Sequence, residues 1–412
     1  MSHEQSQGNV AIVGGGQAGF QTAASLRELG FTGGITIWGC EPYLPYQRPP
    51  LSKTYLKDDS PPDKMYFRPA RFFEEKAITV REGVRVAAID TAARTLALAD
   101  GATAAWDHLV IATGVSNRRL PVPGATLDGV VMLRGLDDAH VIRARLPSVQ
   151  KIVVVGGGVI GLEIAAMARA AGKVVDIVEA GDRLAGRIGS AALSRYFLDY
   201  HRGLGTTVHL SAGVTTVEGS DGRVEAAVLA SGERIAADLV LVCIGVTPNS
   251  ALAEAAGIAC QDGILVDAHM RTSAPGVLAA GDCARFKPAH GPLGSVRLES
   301  VQNAIDQGRC AAETITGKLK PYTALPWFWS DQGSLKLQIA GLTAGHDHAI
   351  VREDAAKGTM AVYCFSSGKL IAVECVNRPA DFMAARRVLG AGKAVLIADV
   401  EKPDFELKAF MG

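Results

Sequence analysis

The chain uses the same device twice: a short apolar strand, a glycine loop and a helix. Asn9–Val13 runs into Gly14-Gly15-Gly16-Gln17-Ala18-Gly19, and Lys151–Val155 runs into Gly156-Gly157-Gly158-Val159-Ile160-Gly161. In the G-x-G-x-x-G pattern the first glycine makes the tight turn. The second lets the backbone approach a pyrophosphate, and the third lets helix and strand pack closely. The helix N-terminus then offers free N–H groups and the positive end of its dipole to an anion. One such loop is a weak signal, whereas two, each following a strand and opening a helix, are a strong one. The helices are expected to run to Leu29, with Gly30 as a C-cap, and to near Gly172. Strands Ile35–Trp38 and Val174–Val178 complete two βαβ units.

Each unit continues into a hairpin-rich stretch, turning at Asp100-Gly101 and at Asp221-Gly222. Each closes on an apolar strand ending in glycine, Leu109–Gly114 and Leu239–Gly245. From Thr323 onward no nucleotide motif occurs. Strands are predicted around Leu335–Ile339, Thr359–Phe365 and Leu370–Val376, and a helix over Ala380–Leu389. A chain of 412 residues is too long for one core. The fold class is therefore α/β, with two Rossmann-like nucleotide-binding domains plus a smaller α+β C-terminal domain.

Lys+Arg and Asp+Glu are equal at 42 each, so no broad positive field exists for nucleic acid. Residues Met1 to Asn9 are polar and lack the apolar core of a signal peptide, and no apolar run is long enough to span a bilayer. A soluble cytoplasmic protein is expected. The seven cysteines, Cys40, Cys243, Cys260, Cys283, Cys310, Cys364 and Cys375, form no close pair. Reduced, mostly buried thiols are expected, and no metal site.

An acid at the end of the second strand of such a unit holds the ribose 2′-OH and repels a 2′-phosphate. In the second unit this is Glu179, eighteen residues after Gly161, which favours NADH over NADPH. The first unit has Gly39-Cys40-Glu41 there. Cys40 is a poor ribose acceptor, which leaves Glu41 as the candidate.

The stretch Pro45-Tyr46-Gln47-Arg48-Pro49-Pro50-Leu51-Ser52-Lys53 resembles a signature of the ferredoxin-reductase-like flavoproteins. That family includes putidaredoxin reductase, ferredoxin reductases of aromatic-ring dioxygenases, rubredoxin reductases and apoptosis-inducing factor. The resemblance extends through Ala112-Thr113-Gly114, Gly161-Leu162-Glu163, Ala279–Cys283, Leu298–Ala304 and Pro326–Gln332, almost the whole chain. Two departures stand out. Cys40 replaces the family's usual acid, and Val159 stands where some members carry an aromatic that gates the nicotinamide.

The resemblance implies the glutathione reductase fold. An FAD domain would comprise residues 1–117 and 246–322, with an NADH domain at 118–245 and a C-terminal domain at 323–412. Arg48 would contact the adenosine–pyrophosphate half of FAD, and Lys53, paired with Glu163, would lie near flavin N5. Asp282, beside Gly281, would hold the ribityl chain or its phosphate. Backbone at Ser300, Val301 and Gln302 would bond the pyrimidine edge. Gly14, Gly16, Ala18, Gly19, Ala112, Thr113 and Gly114 would line the FAD site. Gly156, Gly158, Val159, Ile160, Gly161, Glu163, Glu179 and Gly245 would line the NADH site. Trp329 would be the aromatic closest to both flavin and partner.

The implied activity is hydride transfer from NADH to FAD, then single electrons to a [2Fe–2S] ferredoxin serving a cytochrome P450 or Rieske oxygenase. A monomer or weak dimer is expected. Arg297, Arg309, Lys369, Arg386 and Arg387 are candidates for a local docking patch. Three other readings stay open: a disulfide reductase, a rubredoxin or monodehydroascorbate reductase, and a signalling flavoprotein like apoptosis-inducing factor. The disulfide reading needs a redox cysteine pair near the flavin, and Leu44–Lys53 contains none.

Overall fold

The computed structural model describes residues 8–57 and 60–411; the polar stretch Met1–Gln7 lies outside them. Strand Val10–Val13 is buried along its whole length. That suits a central parallel strand covered on both faces. It lies in a five-stranded parallel sheet in the order 277–279, 108–111, 10–13, 35–38, 78–81. Helix α1 (Gln17–Glu28) covers one face, and Gly30, at φ +84°, ends it as expected. The edge strand Val277–Ala279 comes from far downstream and pairs with Leu109–Ile111.

The second sheet repeats the design, in the order 207–209, 174–178, 151–155, 239–242, 130–131, all parallel. Helices α2 (Leu136–Arg145), α3 (Val159–Ala170) and α4 (Ala191–Gly203) accompany it. Each unit also carries a three-stranded antiparallel sheet, turned at the two Asp-Gly pairs. In α5 (Val301–Ile315), Gly308 lies so close to α1 that a Cβ there would sit 2.7 Å from the Ala18 carbonyl oxygen.

The C-terminal sheet has five antiparallel strands in the order 327–332, 335–341, 369–376, 359–366, 348–354. Sequence reasoning found three of these strands. It treated Trp327–Gln332 only as a motif and missed His348–Asp354. The latter is mostly exposed or half-exposed, so its apolar pattern is weak. One face of this sheet joins the core of the second unit, packing Leu337, Ile339 and Val362 with Leu193 and Phe197. The other face packs Ala361, Tyr363 and Val373 against Phe382 and Val388 of α6 (Pro379–Gly390).

Candidate functional site

The three parts of the molecule meet at one carboxylate. Glu163, in the second turn of α3, is only 3% exposed. A charge so placed needs donors. Lys53 Nζ reaches Oε2 at 2.7 Å and Ser52 Oγ reaches the same oxygen at 2.5 Å. Ser330 Oγ, from the C-terminal sheet, donates to Oε1 at 2.7 Å. The expected Lys53–Glu163 pair is therefore present, at the junction of all three parts.

In the first glycine loop, Gly14 has φ +123°, and a Cβ on it would lie 2.1 Å from the Ala112 carbonyl oxygen. A Cβ on Gly19 would meet the Gly14 carbonyl at 2.0 Å. Gly16 differs, because a Cβ there would meet nothing within 4 Å. The fold itself does not demand glycine at that position, which is what backbone reserved for a ligand looks like. Gly16 caps α1 in extended conformation with no side-chain bond to the helix N–H groups. Two half-buried guanidiniums, one from each unit, stand together. Arg48 bonds Glu41, Tyr46 Oη and the Arg134 carbonyl, and Arg134 lies 3.8 Å from Asp282. Burial and the neighbouring Arg48 push the Arg134 guanidinium down. Burial likewise raises the Asp282 carboxyl, against the pull of Arg134. Such a crowd of cations suits a bound pyrophosphate.

Glu41 does not stand free at the strand end, since its two oxygens are taken by Tyr46 and Arg48. Cys40 is exposed there instead. Thr113 is tied to Asn249 by two hydrogen bonds of 2.7 and 2.9 Å, and Gly114 accepts the Asn249 N–H at 2.9 Å. Gly281, at φ +83°, packs on Ala18 so closely that a Cβ would fall 2.9 Å from the alanine's. Its N–H donates to Gln307 Oε1 at 2.8 Å. Ser300 caps α5 through the Asn303 N–H at 3.2 Å. The N–H groups of Val301 and Gln302 lead that helix and precede its first internal bond.

The second loop copies the first. A Cβ on Gly156 would meet the Cys243 carbonyl at 2.4 Å, and one on Gly161 the Gly156 carbonyl at 2.5 Å. A Cβ on Gly158 would meet only the Cys243 carbonyl, at 3.9 Å. Glu179 ends its strand and accepts from the Gly157 N–H at 2.6 Å and the Gly181 N–H at 2.7 Å. Val159 is half-buried, Ile160 is 43% exposed, and Gly245, at φ +98°, is exposed. The rim of this loop is exposed.

Trp327 and Trp329 are half-buried, with ring centroids 5.5 Å apart. The Arg386 guanidinium lies 4.8 Å over the Trp327 ring. The Trp327 N–H donates to Gln302 Oε1 at 3.1 Å, which ties the tryptophan strand to the head of α5. A cleft beside this pair is lined by Asp306, Leu325, Trp327, Met383, Arg386 and Arg387. Among the expected docking cations, Arg386 and Arg387 lie here, and Arg309 pairs with Asp306 at 3.6 Å. Lys369 is exposed at the start of its strand. Arg297 is a correction. Its side chain is 7% exposed and bridges Glu299 at 2.8 Å and Asp262 at 3.6 Å, so it is an internal strut and not a docking charge.

All seven cysteines are unpaired. Burial pushes the Cys243 thiol up to about 12 and the Cys310 thiol up to about 11, and it raises Cys283, Cys364 and Cys375 as well. Thiols held protonated are poor nucleophiles. Among the described residues, no cluster of histidine, cysteine or carboxylate side chains is arranged to hold a metal, and no helix is long and apolar enough to cross a membrane.

Sequence reasoning missed Ser52, Arg134 and Ser330. Ser52 and Ser330 lie inside stretches already singled out, so their positions were flagged but their role was not. Arg134 falls in a region without motif, and only the fold brings it to Arg48.

Two family models match this chain: pyridine nucleotide-disulphide oxidoreductase over residues 8–308, and reductase C-terminal over residues 327–411. The chain is 46% identical to rhodocoxin reductase of Rhodococcus erythropolis, across 97% of this chain and 93% of that one. It superimposes with a TM-score of 0.95 and 44% identity on the ferredoxin reductase for the CYP199A2 system from Rhodopseudomonas palustris, covering 98% of this chain and all of that one. The reductase in a covalent putidaredoxin reductase–putidaredoxin complex matches with a TM-score of 0.93 and 36% identity, over 98% of each chain.

Proposed function

The chain belongs to the pyridine nucleotide-disulphide oxidoreductase family, and from that premise we propose that it is a cytoplasmic NADH-dependent reductase of a [2Fe–2S] ferredoxin. The observation that carries this reading is the meeting at Glu163. Lys53 from the first unit, α3 from the second and Ser330 beside the tryptophan pair all converge there. One locus thus joins a flavin-side cation, a nicotinamide-side helix and the strand that leads outward. The family's disulfide chemistry finds no partner here, because no cysteine pair accompanies Lys53 and the thiols are unpaired. The relatives' names, a rhodocoxin reductase and a reductase joined to putidaredoxin, point the same way.

The family's cofactors, FAD and NAD(P)H, fit the two loops. Gly16 and Gly158 leave backbone open to a ligand, and each helix behind them begins without an acidic side chain in its first turn. Bound FAD supplies acceptance of a hydride and release of electrons one at a time. The protein orients and polarises. Arg48 and Arg134 would neutralise the pyrophosphate, and Asp282 would accept from the ribityl hydroxyls. The N-terminus of α5, at Val301 and Gln302, would stabilise negative charge at the pyrimidine edge. Glu163 fixes the Lys53 cation, which would lie near N5, and Glu163 would face the nicotinamide amide. Glu179 selects NADH by its charge. Trp329 would lie between the flavin edge and the docked partner, where Arg386, Arg387 and Arg309 would attract an acidic surface.

The test reduces the FAD-loaded protein with NADH in the absence of air and then mixes it with a [2Fe–2S] ferredoxin, a rubredoxin or oxygen. Ferredoxin should reoxidise it at least about tenfold faster than either alternative. Equal rates with rubredoxin would move the assignment to that acceptor. Slow reoxidation by all three would remove electron transfer as the main role.

A further inference from the structure

Side chains along a strand alternate between its two sides. In Trp327–Gln332 one side carries Trp327, against Phe382 and Arg386 of α6. The other carries Ser330 and Gln332, against α3 and α4. That second side lies in an apolar core, where leucine or valine would pack at no polar cost. It nonetheless holds a line of polar groups. Ser330, Gln332 and His201 are fully buried and Glu163 nearly so.

The line has a direction. His201 Nε2 lies 2.9 Å from Gln332 Oε1, Gln332 Nε2 lies 3.4 Å from Ser330 Oγ, and Ser330 Oγ donates to Glu163 Oε1 at 2.7 Å. An amide oxygen only accepts, so His201 carries its proton on Nε2. Its buried Nδ1 is then a bare lone pair, and it has no hydrogen-bond partner. Every donor points toward Glu163. The Ser52 and Lys53 donors occupy the other oxygen of the same carboxylate.

We propose that Ser330 is a positioning residue for the hydride step. It acts through Glu163, fixing the plane of the carboxylate so that Oε2 faces Lys53, and Gln332 and His201 fix the Ser330 hydroxyl in turn. The line crosses from α4 to the Lys53 side of the junction. Its strand also carries Trp329, so hydride delivery and electron exit share one backbone segment.

The test uses FAD-loaded Ser330→Ala, Ser330→Thr and Gln332→Leu. Three quantities are read: flavin reduction across NADH concentrations, melting temperature, and the infrared carboxylate stretch assigned by its loss in Glu163→Gln. Ser330→Ala should slow reduction at saturating NADH about tenfold, the scale of one lost charge-assisted hydrogen bond. Its half-saturation concentration should stay unchanged, and the Glu163 band should shift. Ser330→Thr should restore both rate and band. Gln332→Leu, one link further back, should slow reduction about threefold and covers the case of an unfolded Ser330→Ala. A wild-type rate in Ser330→Ala would overturn the proposal. So would an unmoved carboxylate band, a loss carried by the half-saturation concentration, or a loss that Ser330→Thr fails to repair.

Discussion

The two glycine loops are near copies in backbone, yet their surroundings differ. The first is closed in by distant pieces of chain. Gly281 and Gly308 press on α1 from the downstream segment, and Arg134 reaches across from the neighbouring unit. Its strand-end acid is spent internally, because Glu41 is committed to Arg48 and Tyr46. The second loop is local and open, with Ile160 and Gly245 exposed at its rim. Its acid, Glu179, is held by two backbone N–H groups. A ligand's hydroxyls can replace such bonds at little cost. On the proposed function, one device serves two purposes, holding a resident nucleotide in a walled site and admitting a visiting one at an exposed rim.

The sharpest way to break this comparison is to make the same change in both loops. Gly16→Val should abolish FAD retention, giving colourless protein. Gly158→Val should stay yellow but lose flavin reduction by NADH at least about 100-fold, because the bound geometry is displaced. Flavin absorbance and stopped-flow reduction read both, and two variants failing alike would erase the distinction. Next in size, Arg134→Ala should weaken FAD binding about 10- to 100-fold, the range of a charge-assisted contact, with the KM for NADH unchanged. Titration of the apoprotein with FAD measures it. The smallest effects come from the strand ends. Glu179→Ala should narrow the NADH preference over NADPH about tenfold, acting on KM. Cys40→Asp should leave that preference where it is and change FAD affinity only a few-fold, since a new surface carboxylate adds little.

Both loops with their strands and helices were legible in the sequence, because each rests on local rules of glycine geometry and apolar period, whereas the Lys53–Glu163 pair was implied only by the family resemblance. What could not be read depends on register between distant segments. Arg134 has no motif around it and acquires meaning only beside Arg48 and Asp282. Arg297 looks in sequence like any surface cation, and only the fold buries it between Asp262 and Glu299. Ser330 stands in a conspicuous aromatic stretch that draws attention to its neighbours. Alternation along the strand sends it to the opposite side, toward Glu163. Glu374 is similar: an acid in an apolar strand, fully buried, holding the Ser190 N–H at the head of α4 at 2.7 Å. Burial raises its carboxyl.

The central claim is that electrons enter at the second glycine loop and leave past Trp329 to an acidic ferredoxin at a small charged patch. Stopped-flow measurement of both half-reactions across a salt series tests it most directly. Electron delivery to ferredoxin should fall steeply as salt rises, because screening weakens attraction between exposed charges. Flavin reduction by NADH should barely change. If both half-reactions respond alike, or if delivery is indifferent to salt, the docking account is contradicted.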